Sequence, residues 1–309
     1  MNNRTLTSRS ALIKAIAGNP SMYLMVLPAV VILFIFHYIP IYGIIIAFQK
    51  YSPLDGYGGS PFVGLKNFIR FFNDPFAYRV IRNTLMIGIF RLIWTFWPPI
   101  VLALLLNELS NVKLKRSIQS ISYLPHFFST VIVVGILFKV VAVDGGVANT
   151  ILKSLGFNKI NFLVSPQWFR SLYITLSLWS GIGWGSIIYL AALNGIDPQL
   201  YEAAHVEGAS RFQRAWHITL PGISSTIIIL LILNVRSIVK VGAPTVLLMY
   251  NEAVYETADV LSTYVYRQGI QGTNPSYASA IGLFNSVISL LLVIIINRIA
   301  RAVSETSLW

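Results

Sequence analysis

The chain has 309 residues, of which 55% are hydrophobic and only 11% charged, with a mean hydropathy of +0.69. A soluble domain carries about 25% charged residues, so most of this surface is expected to face lipid. The net charge of +12 is scattered through short loops, which points to lipid headgroups and protein partners and away from nucleic acid, and the lack of cysteine excludes disulfides, iron–sulfur clusters and thiol chemistry.

A helix needs about 20 apolar residues to cross the hydrocarbon core, and six segments qualify. The first is about 22–48, with no charge between Lys14 and Lys50. It is too long for the apolar region of a signal peptide and lacks a small-x-small cleavage site. Residues 50–79 then hold a turn-rich run, YSPLDGYGGSP, and an amphipathic stretch around Phe68, Phe71 and Phe72. The second span is about 83–106, interrupted only by Arg91, and the third is about 117–138. The fourth, about 171–193, contains Gly181, Gly183 and Gly185, and the Gly181/Gly185 pair forms the GxxxG spacing of close helix packing. The fifth is about 219–241 and the sixth about 277–296. None of these runs alternates with period two, and backbone groups in lipid must be satisfied within the segment. The expected fold is an all-α membrane protein with six transmembrane helices over 22–297, an N-terminal segment 1–21 and a tail 298–309.

Charged side chains within spans are costly and usually line a cavity or pair with a neighbour. Arg91 sits in the middle of the second span. Arg236 and Lys240, four apart near the end of the fifth, are expected to share a helix face. With Trp94 and Asn234 they make a candidate substrate path. Trp179 and Trp184 are further candidate platforms, although tryptophans also belong to interfacial belts. Gly181, Gly183 and Gly185 have no preceding strand to make them a nucleotide loop. No G-x-x-x-x-G-K-[ST] occurs anywhere, and no metal-ligand spacing or catalytic constellation is present.

Residues 197–221 form a polar stretch between the fourth and fifth spans. Asp197-Pro198 reads as N-cap and first helical residue, and Gly208 as a left-handed stop, giving a short helix of about 198–207. Ser210 and Gln213 have the spacing of a capping box opening a second helix. Tyr201 and His205 share one face of the first helix, and Phe212 and Trp216 one face of the second. The pattern Glu202-Ala203-Ala204, Gly208 and then Leu220-Pro221 resembles the EAA loop of ABC-importer permeases. Glu207 stands where that family often has Asp. FHYIPIYGIIIAFQKYSP (36–53), VGLKNFIRFF (63–72), LALLLNEL (102–109), ISYLPHFFS (121–129), WGSIIYLAALNGIDPQLYEAA (184–204) and the terminal Leu308-Trp309 resemble the carbohydrate-uptake branch of that family. Within it they are similar to subunits for alginate- and rhamnogalacturonan-type fragments, and more distantly to maltose importer permeases.

The resemblance implies a type I ABC importer permease fold in a bacterial cytoplasmic membrane, acting by alternating access. It implies a second, homologous permease, two ATPase subunits that bind ATP and magnesium, an extracytoplasmic solute-binding protein and an oligosaccharide substrate. The chain itself is expected to bind no cofactor and to catalyse no reaction. Glu202, Ala203, Ala204, Gly208, Leu220 and Pro221 are the implied ATPase-coupling residues. Placing their loop in the cytoplasm sets both termini inside, which the positive-inside rule alone leaves undecided. Residues 50–79 and 243–276, the latter with Glu252, Glu256 and Asp259, then become either solvated loops or a landing surface for the binding protein. The three basic positions of the path extend the expectation to acidic, uronate-containing substrates. The alternative is an ion-coupled secondary sugar transporter, which would need an intramembrane carboxylate as relay; no Asp or Glu lies mid-span.

Overall fold

The computed structural model describes residue 18 and residues 20–303, with the side chains of 236, 302 and 303 outside the described set. The N-terminal basic residues Arg4, Arg9 and Lys14 and the terminal Leu308-Trp309 fall outside it too. Among the described residues the chain is helical; its one β feature is an isolated bridge between Gln49 and Phe62. Four of the described helices are long and apolar enough to cross a membrane: α1 (Pro20–Phe48), α3 (Ala77–Glu108), α7 (Pro166–Leu193) and α13 (Pro275–Val303). The short α2 (Lys66–Phe72) lies between the first two.

The third and fifth expected spans are not continuous. The third is α4 (Val112–Tyr123), continued as a 3₁₀ turn through Phe127, and α5 (Thr130–Val141), bent by 106° at residues 128–129. The extended backbone of Phe128 and Ser129 ends the first segment, and Ser129 starts the next, its side chain accepting from the Ile132 N–H. The fifth is α9 (Arg211–Gly222) and α10 (Ser224–Val235), bent by 63°. Counting each bent pair once gives up to six passes. Between α5 and α7 lies α6 (Val147–Ser154); α8 (Pro198–Val206) precedes α9, and α11 (Ala243–Met249) and α12 (Leu261–Tyr266) precede α13.

Helix α10 ends at Val235; residues 236–238 form a single 3₁₀ turn and 239–242 are not helical. Arg236 and Lys240 therefore do not share a helix face, contrary to expectation: the i,i+4 rule needs a helix that has already stopped. α3 passes close against this break, and a Cβ on Gly88 would overlap the Ile238 carbonyl. The fourth-span glycines also sort differently from their spacing. Gly181 has open space beside it, whereas Gly183 is the close-packing position, where a Cβ would overlap the Ser122 backbone. A Cβ on Gly185 would come within 3.1 Å of the Pro99 ring.

At the end of the bundle where α3 and α7 begin, a polar network binds the 252–272 segment to both helices. Asp259 is fully buried. It takes two bonds from Arg267, 2.6 Å from Nη2 and 3.2 Å from Nη1, a third from Arg79 at 3.4 Å and a fourth from the Thr263 hydroxyl at 3.0 Å. Buried Asn83 donates to the carbonyls of Glu256 and Asp259 and accepts from Arg170 at 3.0 Å. Of the three acids considered for a landing surface, only Glu252 and Glu256 are exposed; Asp259 is an interior counter-charge.

Beside this network, Asp74 accepts from Tyr264 at 2.6 Å and Tyr277 at 3.0 Å. Burial pushes the Asp74 carboxyl up, but the Tyr264, Phe76 N–H and Tyr277 bonds and nearby Arg70 outweigh it, and the net shift is below the usual 3.8. A lowered folded value contributes stability that is present above about 3.8 and is lost as pH falls through it. Asp74→Asn is therefore expected to lower the melting temperature at pH 7, with the difference from wild type shrinking at pH 3; thermal melts in detergent at the two pH values measure it.

Candidate functional site

Two regions concentrate the chemistry. The first is a cavity of about 400 Å³ between α3, α7 and α10, within the usual size range of ligand sites. α7 supplies Tyr173, Ser177, Ser180, Gly181, Gly185 and Ile188 to its wall, at the i, i+4, i+7, i+8 spacing of one helix face. The Ser177 and Ser180 hydroxyls donate back to their own helix, to the carbonyls of Tyr173 and Leu176. Thr95 on α3 does the same toward Arg91. With their protons spent, these three oxygens present lone pairs as acceptors.

Arg91 is the cation of this wall. It lies 14 residues into the 32 of α3, roughly 21 Å along a rod of about 48 Å, near the middle of the crossing. Its guanidinium donates to the Tyr173 hydroxyl at 3.3 Å and to the Ser237 carbonyl at 3.4 Å, both long for N–H···O bonds. Among the described residues no carboxylate is within ion-pair distance of it. Asn234 also lines the cavity, its amide donating to the Leu230 carbonyl.

Two other expected path residues lie elsewhere. Trp94 is 61% exposed on α3, outside the cavity wall, and Lys240 is exposed beyond the end of α10. The side chain of Arg236 lies outside the described residues. Trp179 and Trp184 are not on this wall; Trp184 stacks on His126 with ring centres 4.5 Å apart. His126 lines a second cavity of about 220 Å³, which shares Ser177, Ser180, Gly181 and Thr245 with the first. The two spaces thus share one stretch of α7, and Pro125 and Phe128, on either side of the turn into α5, also line the second. Reading the sequence for charges missed Tyr173, Ser177 and Ser180. Their signal was present: hydroxyls at helical spacing within an otherwise apolar span.

The second region is the 197–221 loop, at the end of the bundle where α3 and α7 terminate. Asp197 caps α8 by accepting from the Gln199 N–H. Gly208 closes it at φ +78°, with Gly208 N–H to His205 O at 3.0 Å and Ala209 N–H to Ala204 O at 2.9 Å, the two bonds of a Schellman stop. Ser210 and Gln213 form the expected capping box at the start of α9. The Tyr201 hydroxyl donates to Thr219 at 3.1 Å and joins the two helices into one hairpin. Gly222 packs against Ile196 at the end of α7, where a Cβ would come within 2.8 Å of its side chain.

Outside this stitched interior the hairpin presents Glu202, Ala203 and Gly208 exposed, with Ala204 and Leu220 half-buried and Pro221 exposed. Beside them Val206, Phe212 and Trp216 are 88%, 76% and 61% exposed, and the last two are stacked 6.4 Å apart. So large an apolar patch on the most polar loop is a surface built for contact. Val206 escaped the sequence reading because one valine carries no pattern.

Residues 99–305 match the family described as binding-protein-dependent transport system inner membrane component. The chain is 44% identical over 288 residues to the polygalacturonan/rhamnogalacturonan transport system permease protein YteP of Bacillus subtilis (strain 168), covering 93% of this chain and 90% of that protein. It is also 44% identical over 288 residues to the protein LplB of the same organism, covering 93% and 91%. In structure it resembles, with a TM-score of 0.87 and 39% identity, a chain of a bacterial ABC transporter involved in the import of the acidic polysaccharide alginate, covering 95% of this chain and 99% of that one. A second structure, of a bacterial alginate ABC transporter in complex with alginate pentasaccharide-bound periplasmic protein, matches with the same TM-score and identity over 96% and 99%. The chain belongs to the binding-protein-dependent transport system inner membrane components, and is a multi-pass permease subunit of an ABC importer.

Proposed function

We propose that this permease carries acidic oligosaccharides, of the uronate-containing kind, into the cytoplasm of a bacterium. The observation that carries the reading is Arg91: a guanidinium at mid-crossing, on the wall of a cavity, with no carboxylate among the described residues within ion-pair distance. A half-buried cation within a membrane span is costly without a counter-charge, and a substrate carboxylate would supply it. The acceptor oxygens of Thr95, Ser177 and Ser180 suit sugar hydroxyls, which donate. The names of the relatives, which speak of polygalacturonan, rhamnogalacturonan and alginate, point to the same class.

In this reading transport is alternating access driven by ATP bound and hydrolysed on two partner ATPase subunits. A second permease completes the path, and lipid and that permease cover α1, whose most apolar window has no buried residue in this chain. A solute-binding protein delivers the sugar at the end carrying Glu252 and Glu256, so both chain termini lie in the cytoplasm. The ATPases dock on the 197–221 hairpin, with Val206, Phe212 and Trp216 adding apolar contact to Glu202, Ala203 and Ala204. Magnesium and ATP belong to those subunits.

Uptake of matched acidic and neutral oligosaccharides, in wild type, Arg91→Gln and Lys240→Gln, tests the substrate class. Arg91→Gln is expected to lower acidic uptake about fivefold, equivalent to ~1 kcal/mol of preference, and to leave neutral uptake near its starting rate. Lys240→Gln, outside the cavity, should do much less. Equal loss of both substrates in Arg91→Gln would refute a charge-selective path.

A further inference from the structure

The break at residues 236–242 leaves backbone polar groups without helical partners inside the bundle. Within a membrane such groups must be satisfied by protein or by a water-filled cavity. Here neighbouring helices do so, with few bonds. Arg91 donates to the Ser237 carbonyl, the Gly242 N–H donates to the Tyr173 hydroxyl at 3.3 Å, and the Ser262 hydroxyl donates to the Val241 carbonyl at 2.9 Å. Arg91 also donates to that same Tyr173 hydroxyl. The guanidinium and the phenol thus clasp both ends of the break, and two of the three bonds pass through side chains on the cavity wall.

These clasping bonds are the long ones. At 3.3 and 3.4 Å they are weaker than an ordinary N–H···O bond. A carboxylate offers the same guanidinium two short, charge-assisted bonds in a planar fork. A carbonyl and a phenol cannot compete with it for the same donors.

We propose that Arg91 and Tyr173 form a latch on the 236–242 break, released when an anionic sugar group in the cavity draws the guanidinium away. Occupancy of the path would then loosen the segment joining α10 to α11. This rests on the reading of the cavity as the path of an acidic sugar. Tyr173 is a positioning residue in this scheme: it holds Arg91 and Gly242, and its own proton remains free for an acceptor in the cavity. A ligand shifts such an equilibrium only through its differential affinity for the two states, and the bonds exchanged at Arg91 provide that difference.

The chain has no cysteine, so a single reporter thiol can be read without background from this subunit. Val241 is 2% exposed in the break, and Val241→Cys would react with a water-soluble maleimide only when the break opens. In the purified whole importer, trigalacturonate is expected to speed labelling about tenfold, the scale of exchanging one or two ordinary hydrogen bonds. A neutral galactose trisaccharide should leave it unchanged. Adding Tyr173→Phe should raise labelling without any sugar and shrink the response. Adding Arg91→Gln should abolish the response, while Arg91→Lys, with a cation but no fork, should retain a reduced one. Tyr173→Phe labelling at the parent rate would overturn the latch, as would an equal response to both trisaccharides. If Tyr173→Phe loosens the break but trigalacturonate does nothing, release by ligand is refuted. The uptake comparison above then decides separately whether the path is charge-selective.

Discussion

Asp259→Ala is expected to be among the most damaging single changes in the chain, destabilising it by about 3–5 kcal/mol, the scale for removing one partner of a buried ion pair. The carboxylate is fully buried and answers two guanidinium groups, Arg79 and Arg267, which are themselves mostly covered. Removing it leaves two like charges facing one another with nothing between them. Arg267 also loses a bidentate bond, which fixes orientation as well as charge. The 255–267 segment should therefore detach from α3, and the Thr84 bond to the Leu261 N–H with it. Asp259→Asn keeps the shape and two polar atoms and should cost less, in the order wild type, Asn, Ala. Detergent melts and protease sensitivity of the 250–275 segment give that order; Asp259→Ala within 1 kcal/mol of wild type would show the network to be ornamental.

Gly208→Val is expected to abolish transport while the subunit still inserts and pairs. Nothing lies within 4 Å of a Cβ at this position, so the effect is conformational, not steric. At φ +78° an L-residue is penalised by roughly 1–2 kcal/mol, and a β-branched one by more. The chain can escape that strain only by giving up the Schellman bonds to His205 and Ala204. Either way the angle between α8 and α9 changes, and the patch of Val206, Phe212 and Trp216 no longer lies beside Glu202 and Ala203. Gly208→Asn, which tolerates the left-handed region better, should keep part of the function. The measurement is ATPase-subunit retention on the purified permease together with uptake; full retention and normal uptake in the valine variant would reject the hinge.

What the sequence made legible divides along physical lines. The caps of the 197–221 hairpin were readable residue by residue, because Asp197, Gly208, Ser210 and Gln213 act through local backbone geometry that a few neighbouring letters specify. The long spans were readable because lipid demands length. The bends were not: hydropathy sums over a window and is blind to direction, so residues 128–129 and Ile223 passed unseen as turning points. Asp259 looked like a loop acid because its partners, Arg79 and Arg267, are separated from it by 180 and 8 residues. Arg91 was conspicuous because it stood alone in an apolar run. The face of Tyr173, Ser177 and Ser180 that completes its cavity was hidden by residues that are individually unremarkable.

The contact of Gly183 with the Ser122 backbone has a mechanical consequence. Where two main chains touch without side chains between them, there is no compliant layer to absorb a shift, so α4 must follow α7. α7 in turn runs without a break for 28 residues, about 42 Å, and leads through three residues into the hairpin. It is a lever with its handle at the loop. A tilt of about 5° at that end displaces the other by roughly 4 Å, on the order of one helical turn, and carries the far wall of the cavity and the bend between α4 and α5 along with it.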